Sequence, residues 1–244
     1  MNGETVKIKG DGVEVGGYLS HPATPGRLPA VIIIHEVWGL NPHTKDVADR
    51  FAAEGYLALA PDLLTGEILD FVDPNILREM ADPAKKDEAQ KKMRAVLAPV
   101  STPEFAARTM KKLQACFNFL KAQKDANGTV GVVGFCFGGT YSFALASTEP
   151  TLRFAISFYG QPPTDEAAAK ITCPVLAFYG EKDERLMETL PQLQATMKKY
   201  NKNFRSIVYP GVGHAFFNDT NKMMYNADTA AKAWEEVKQF LQGK

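Results

Sequence analysis

The chain has no charge excess. Its 28 Lys and Arg are matched by 28 Asp and Glu, so overall charge does not point to nucleic acid or an anionic membrane as a partner, both of which favour a basic surface. Cysteine is scarce. Cys116, Cys136 and Cys173 are far apart and odd in number, which argues against a disulfide framework or a zinc knuckle. Reduced thiols in a cytoplasmic protein are the economical expectation. No apolar run approaches the roughly 20 residues that span a bilayer. The opening "MNGETVKIKGDGVEVGG" lacks the basic and apolar regions of a secretory signal. A dinucleotide fingerprint is missing as well, because Gly134 is followed by Gly138 and Gly139 without the G-x-G-x-x-G spacing. The histidines lack ligand spacing, so neither a metal nor a cofactor is expected.

What is present is ordinary for a globular protein: 45% hydrophobic and 23% charged residues in 244, enough chain for a substantial core. With no repeat, low-complexity tract or linker, residues 1–244 read as one domain. Residues 5–22 alternate around Asp11-Gly12 as an N-terminal hairpin. "AVIIIHE" is a β-branched run typical of a strand buried on both faces. "HTKDVADRFAAEG" (43–55) has helical spacing and ends on glycine, and "YLALAPD" is the next strand. Residues 66–100 read as helices broken at Pro83, with "KKDEAQKKMR" as a solvated face. The helix "PEFAARTMKKLQACFNFLKAQ" places Cys116 on its packed side. Strands and helices then follow: "TVGVVGF", "GGTYSFALAS", "FAISFYG", "CPVLAFYGEKD", "METLPQLQATMKKY", "FRSIVYPG" and "NADTAAKAWEEVKQFLQ". This is an α/β pattern: a mostly parallel sheet covered on both faces, with an antiparallel N-terminal hairpin.

Ligands of such sheets bind beyond the carboxyl ends of the strands. Four chemistry-bearing residues are expected there: Glu36 after "AVIII", Cys136 after "TVGVVGF", Asp183 after "PVLAFYGEK" and His214 in "YPGVGHAFF". Gly134-x-Cys136-x-Gly138 has the pattern of a nucleophile elbow with cysteine in place of serine. Residues flanking the nucleophile must lack side chains there so that strand and helix can pass closely. The helix that follows sets its positive end under the sulfur, where it favours a thiolate and a developing oxyanion. The alternative is a packing cysteine beside glycines that serve helix–strand contact. His214 is the candidate base and Asp183 the group that orients it. Glu181 and Glu184 compete for that role, but Asp183 sits farther into the loop than Glu181. The order nucleophile, acid, histidine is that of an α/β-hydrolase.

"HEVWGLNPHTKDVADRFAAEGYLALAPDL", "GVVGFCFGG", "YGEKD" and "GVGHAFFND" together resemble the dienelactone hydrolase family (carboxymethylenebutenolidases) over nearly the whole chain. The resemblance implies an α/β-hydrolase fold and cleavage of an ester or lactone by a Cys-His-Asp triad. It also gives Glu36 a role. In that family a glutamate at this position lies beside the resting thiol, holds its proton, and helps remove it when substrate binds. The oxyanion hole is expected from the backbone N–H groups of Val37 and Phe137. One departure bears on substrate. Family members that accept carboxylated lactones hold the carboxylate with arginines, one of them four residues past the catalytic histidine, where this chain has Asn218. The charged stretch offers Arg78, Lys85, Lys86 and Arg94 instead. Trp38, Tyr159, Phe216 and Phe217 are expected, with Asn218, to line the pocket, which would suit neutral or aryl esters. The partner is then a small ester or lactone, with no nucleic acid or membrane. A monomer is expected, with a weak dimer as the alternative. Two competing functions are a general carboxylesterase with the same triad and a non-catalytic thiol sensor or ligand-binding protein on the same fold.

Overall fold

Eight strands form one sheet in the order β1-β2-β4-β3-β5-β6-β7-β8. The computed structural model describes residues 2–10, 12–68, 70, 73, 75–76, 79, 82 and 84–243. Strands β1 (Asn2–Gly10) and β2 (Val13–His21) pair antiparallel, with Gly10 opposite Val13 across a two-residue turn. In that turn Gly12 takes a φ of +77°; Asp11 lies outside the described residues. β2 also pairs antiparallel with β4 (Leu57–Asp62). From β4 onward, through β3 (Leu28–Ile34), β5 (Ala126–Phe135), β6 (Ala155–Phe158), β7 (Val175–Gly180) and β8 (Phe204–Tyr209), every pair is parallel. The β-branched run of β3 lies at the centre, with Val31 through Ile34 fully buried. Such continuous apolarity is what a strand covered on both faces requires.

The connections fix where a ligand can bind. The chain leaves β3 through α1 (Pro42–Ala53) toward β4, then returns to the other side of β3 as β5. The strand order therefore reverses between β3 and β5, and a crevice opens at their carboxyl ends. Right-handed crossovers running in opposite directions put their helices on opposite faces. On one face Phe51 of α1 meets Trp234 of the last helix, α7 (Ala227–Leu241), edge to face at 5.1 Å. On the other, Phe105 of α3 (Pro103–Lys121) meets Phe137 of α4 (Phe137–Thr148). Among the described residues no helix is long and apolar enough to cross a membrane.

Local signals account for most boundaries. Asn41 caps α1 by accepting from the Thr44 N–H at 3.0 Å, Pro42 opens that helix, and Gly55 beyond its end takes a φ of +90°. Thr102 and Pro103 start α3 in the same way. In the charged stretch, α2 (Lys86–Leu97) and a 3-10 turn (Ala98–Ser101) follow, while Pro83 and part of the helix expected before it lie outside the described residues. One element departs from the sequence reading. A helix, α5 (Asp165–Lys170), stands between β6 and β7 where strand was expected to follow strand. It spans six residues, too short for a 3.6-residue period to show, and is set by Thr164, whose hydroxyl accepts from the Ala167 N–H. The remaining helix, α6 (Glu184–Lys199), follows β7.

Candidate active site

The elbow is built by backbone sterics. Cys136 joins β5 to α4 with φ 55° and ψ −110°, a region that costs a non-glycine residue about 1–3 kcal/mol. Its N–H is fixed by the Phe158 carbonyl at 2.9 Å. A Cβ on Gly134 would stand 2.0 Å from the Gly138 oxygen, and one on Gly138 would stand 2.2 Å from the Ile34 oxygen. Neither collision can be relieved by a side-chain rotation, since both partners are backbone. The glycines are thus required by how closely α4 crosses β5 and β3. They deliver Cys136 to the crevice half-buried. Cys116 and Cys173 are buried, and burial pushes their thiols up to about 12 and about 11. Of the three sulfurs, only Cys136 is presented for chemistry.

His214 and Asp183 meet beside it. Asp183 follows β7 and His214 follows β8, and their loops are laced together by Glu181 N–H to Tyr209 C=O and Lys182 N–H to Val212 C=O, each 2.9 Å. The imidazole Nδ1 lies 2.5 Å from Asp183 Oδ2. Glu181 is spent on the Gly211 N–H, and Glu184 is exposed at the start of α6. Burial pulls the His214 pKa down, but the hydrogen bond to Asp183 and the charged forms of Asp183 and the neighbouring Cys136 outweigh it and raise the imidazole to about 10.

A stability prediction follows from that shift. An unfolded imidazole titrates near 6.5, so the His214 contribution is complete below that pH and is lost as pH rises toward and through about 10. In urea denaturation, wild type should lose more stability than His214→Ala between pH of about 7 and about 10. Parallel losses in the two proteins would refute the linkage.

Glu36 follows β3 and is buried, but its hydrogen bonds run elsewhere than to the thiol. Oε1 accepts from the Tyr159 hydroxyl at 3.0 Å and Oε2 from the Asn218 amide at 2.6 Å. Asn218 is in turn held by Thr220, whose N–H and hydroxyl both donate to Oδ1. The residue expected on the pocket wall is therefore a buried clamp on Glu36. Phe216 and Phe217 are also corrected from wall to core, being 0% and 2% exposed. Ala215 takes a φ of 60° and turns the chain inward, so that Phe217 stacks on Phe135 and Phe216 packs against Tyr159. His43, on α1, braces this loop through Asp219 at 2.7 Å.

Cys136 and His214 open into one cavity of about 490 Å³, whose wall includes Tyr159 and Val37. Tyr159 was expected there. Trp38 does not line this cavity, and neither does Lys85; Arg78 and the side chains of Lys86 and Arg94 lie outside what is described. The wall instead comes from Val100 and Ser101 of the 3-10 turn, from Ala106 and Met110 of α3, from Tyr141 and Ala144 of α4, and from Gln161 and Arg185. Arg185 is the cation that the sequence reading missed. It lies two residues past Asp183 and was within reach of the same strand-end argument. With the Gln161 oxygen turned toward it, both terminal guanidinium nitrogens donate at 2.8 Å. Among the described residues, the N–H groups of Val37 and Phe137 have no protein acceptor.

The Dienelactone hydrolase family model matches residues 15–244. The chain belongs to the dienelactone hydrolase family. It is a hydrolase of that family with an α/β-hydrolase fold. A Saccharolobus solfataricus protein named "Putative carboxymethylenebutenolidase" is 36% identical, covering 95% of each chain. Protein usf of Aquifex pyrophilus is 35% identical over 95% of this chain and 94% of its own. In architecture the chain superposes on the dienelactone hydrolase of Anabaena variabilis with a TM-score of 0.71 at 17% identity, covering 99% of this chain and 97% of that one.

Proposed function

We propose that this protein hydrolyses an ester or lactone through Cys136, with His214 as proton carrier and Asp183 as its orienting carboxylate. The observation that carries the reading is a half-buried thiol at a strained elbow, sharing one cavity with an Asp-bonded imidazole. The Cys136 thiolate attacks the carbonyl carbon, and the oxyanion is received by the N–H groups of Val37 and Phe137. Collapse breaks the C–O bond, and His214 gives its proton to the departing alkoxide. His214 then takes a proton from water, whose oxygen attacks the thioester and releases the acid and the sulfur. A lactone follows the same course with its alkoxide still tethered. Mass spectrometry of protein quenched during turnover of a nitrophenyl ester tests the covalent step. An acyl group on the Cys136 peptide is expected, and turnover without it would refute the role.

Arg185 favours substrates that carry an acidic group on the part lying away from the reacting carbonyl. The rest of the wall is largely apolar, so the guanidinium is the group there that would discriminate by charge. Arg185→Ala should raise KM for an acidic ester by about tenfold, or 1.4 kcal/mol, while leaving a neutral ester of the same shape nearly unchanged. Equal effects on both esters would return the preference to neutral substrates.

A further inference from the structure

His35 is fully buried at the end of β3 and takes no part in the steps above. Its ring nitrogens are both committed. Nε2 lies 3.0 Å from the Leu63 backbone N–H, which can only donate, so Nε2 is the acceptor. The proton therefore sits on Nδ1, which donates to the Glu36 carbonyl at 2.6 Å. That same carbonyl accepts from the Gly39 N–H at 3.2 Å. A trans peptide is planar with C=O and N–H antiparallel. Holding the Glu36 oxygen against the ring therefore aims the Val37 N–H the opposite way. The other face of the site is engaged too. The His35 ring stacks on Phe137 at 5.9 Å with 8° between planes, and the His35 carbonyl accepts from the Gly138 N–H at 3.2 Å.

We infer that His35 is a positioning residue for the oxyanion hole: through Nδ1–H it fixes the Glu36–Val37 peptide plane and thereby the direction of the Val37 donor. Burial lowers the imidazole pKa, which keeps the ring neutral and Nε2 free to accept from Leu63. The inference rests on the hydrolytic reading for its catalytic consequence, and on geometry alone for the peptide orientation.

Two substitutions separate positioning from general support, because each keeps one of the two hydrogen bonds. Asn places its amide where Nδ1 stands and can still donate to the Glu36 carbonyl. Gln places its oxygen near Nε2 and can still accept from Leu63. His35→Gln should lower kcat by about tenfold or more with little change in KM. It should weaken a trifluoromethyl ketone that forms a tetrahedral adduct by a similar factor, and leave alkylation of Cys136 by iodoacetamide unchanged. His35→Asn should recover most of the lost kcat. In ¹⁵N-labelled protein the Val37 amide resonance should move in the Gln variant and stay near its wild-type position in the Asn variant. Equal losses in both variants, in step with melting temperature, would overturn the inference, as would a Val37 resonance unmoved in His35→Gln. If wild type turns over no ester, the hydrolytic reading fails and the amide resonance still decides the orientation. If Cys136→Ala keeps full activity, the nucleophile is wrong and the same holds.

Discussion

Cys136→Ala will lower kcat/KM on any ester the wild type hydrolyses by about 10⁴-fold or more, with the fold retained. The size follows from the role, since without the sulfur no covalent intermediate can form and only binding and the backbone donors remain. The retained fold follows from the environment. Cys136 is half-buried, and alanine meets the same φ of 55° with a smaller side chain, so no new collision arises. Kinetics on a panel containing a carboxylated dienelactone and short nitrophenyl esters, with circular dichroism on both proteins, is the measurement. Activity within tenfold of wild type in the variant would make Cys136 a packing residue after all. A wild type inert on the whole panel would shift weight to a thiol sensor built on the same fold.

Gly138→Ala should do its damage one step earlier, in the backbone. The added carbon would sit 2.2 Å from the Ile34 oxygen and 2.8 Å from the His35 oxygen. Ile34 ends the central strand and His35 directly follows it, and that strand is fixed by neighbours on either side. The helix must then retreat from β3, breaking the Gly138 N–H bond to His35 and pulling Phe137 and Cys136 with it. A cost of about 3 kcal/mol, at the upper end of overpacking, is expected, which for a chain of this size lowers the melting temperature by roughly 6–12 °C. Activity should fall further than stability, since the oxyanion donors separate. A variant as stable and as active as wild type would mean that the close passage of α4 over β3 is not maintained in solution.

The layout of the fold was legible because its signals are local and repeated. The buried run of β3, the glycine after α1 and the alternation of strands with amphipathic helices each point to the same sheet. The placement of Cys136, Asp183 and His214 was legible for a related reason: each stands just past a strand, and the topology brings strand ends together. What lines the cavity was not legible. Whether Phe216, Phe217 and Asn218 face outward or inward depends on the backbone at Ala215, whose positive φ no residue type announces. Asn218 could be read only against a family pattern, and that pattern suggested a substrate contact. Its partner Glu36 is 182 positions away. The helix over 165–170 is too short to carry a period, and Val100 and Met110 reach the cavity by tertiary packing alone.

The groups proposed for bond cleavage are hung from the sheet, and the oxyanion donors proposed with them are main-chain. Part of the wall facing the cavity, Val100, Ser101, Ala106 and Met110, comes from a run that belongs to no strand. Substitution at those four positions, with Phe105 kept against Phe137, can therefore reshape what is bound without disturbing how it is cut. Relatives that share this chain's strand tips can diverge in diet while keeping one reaction, and grafting that run from one relative to another is a direct way to exchange substrate ranges.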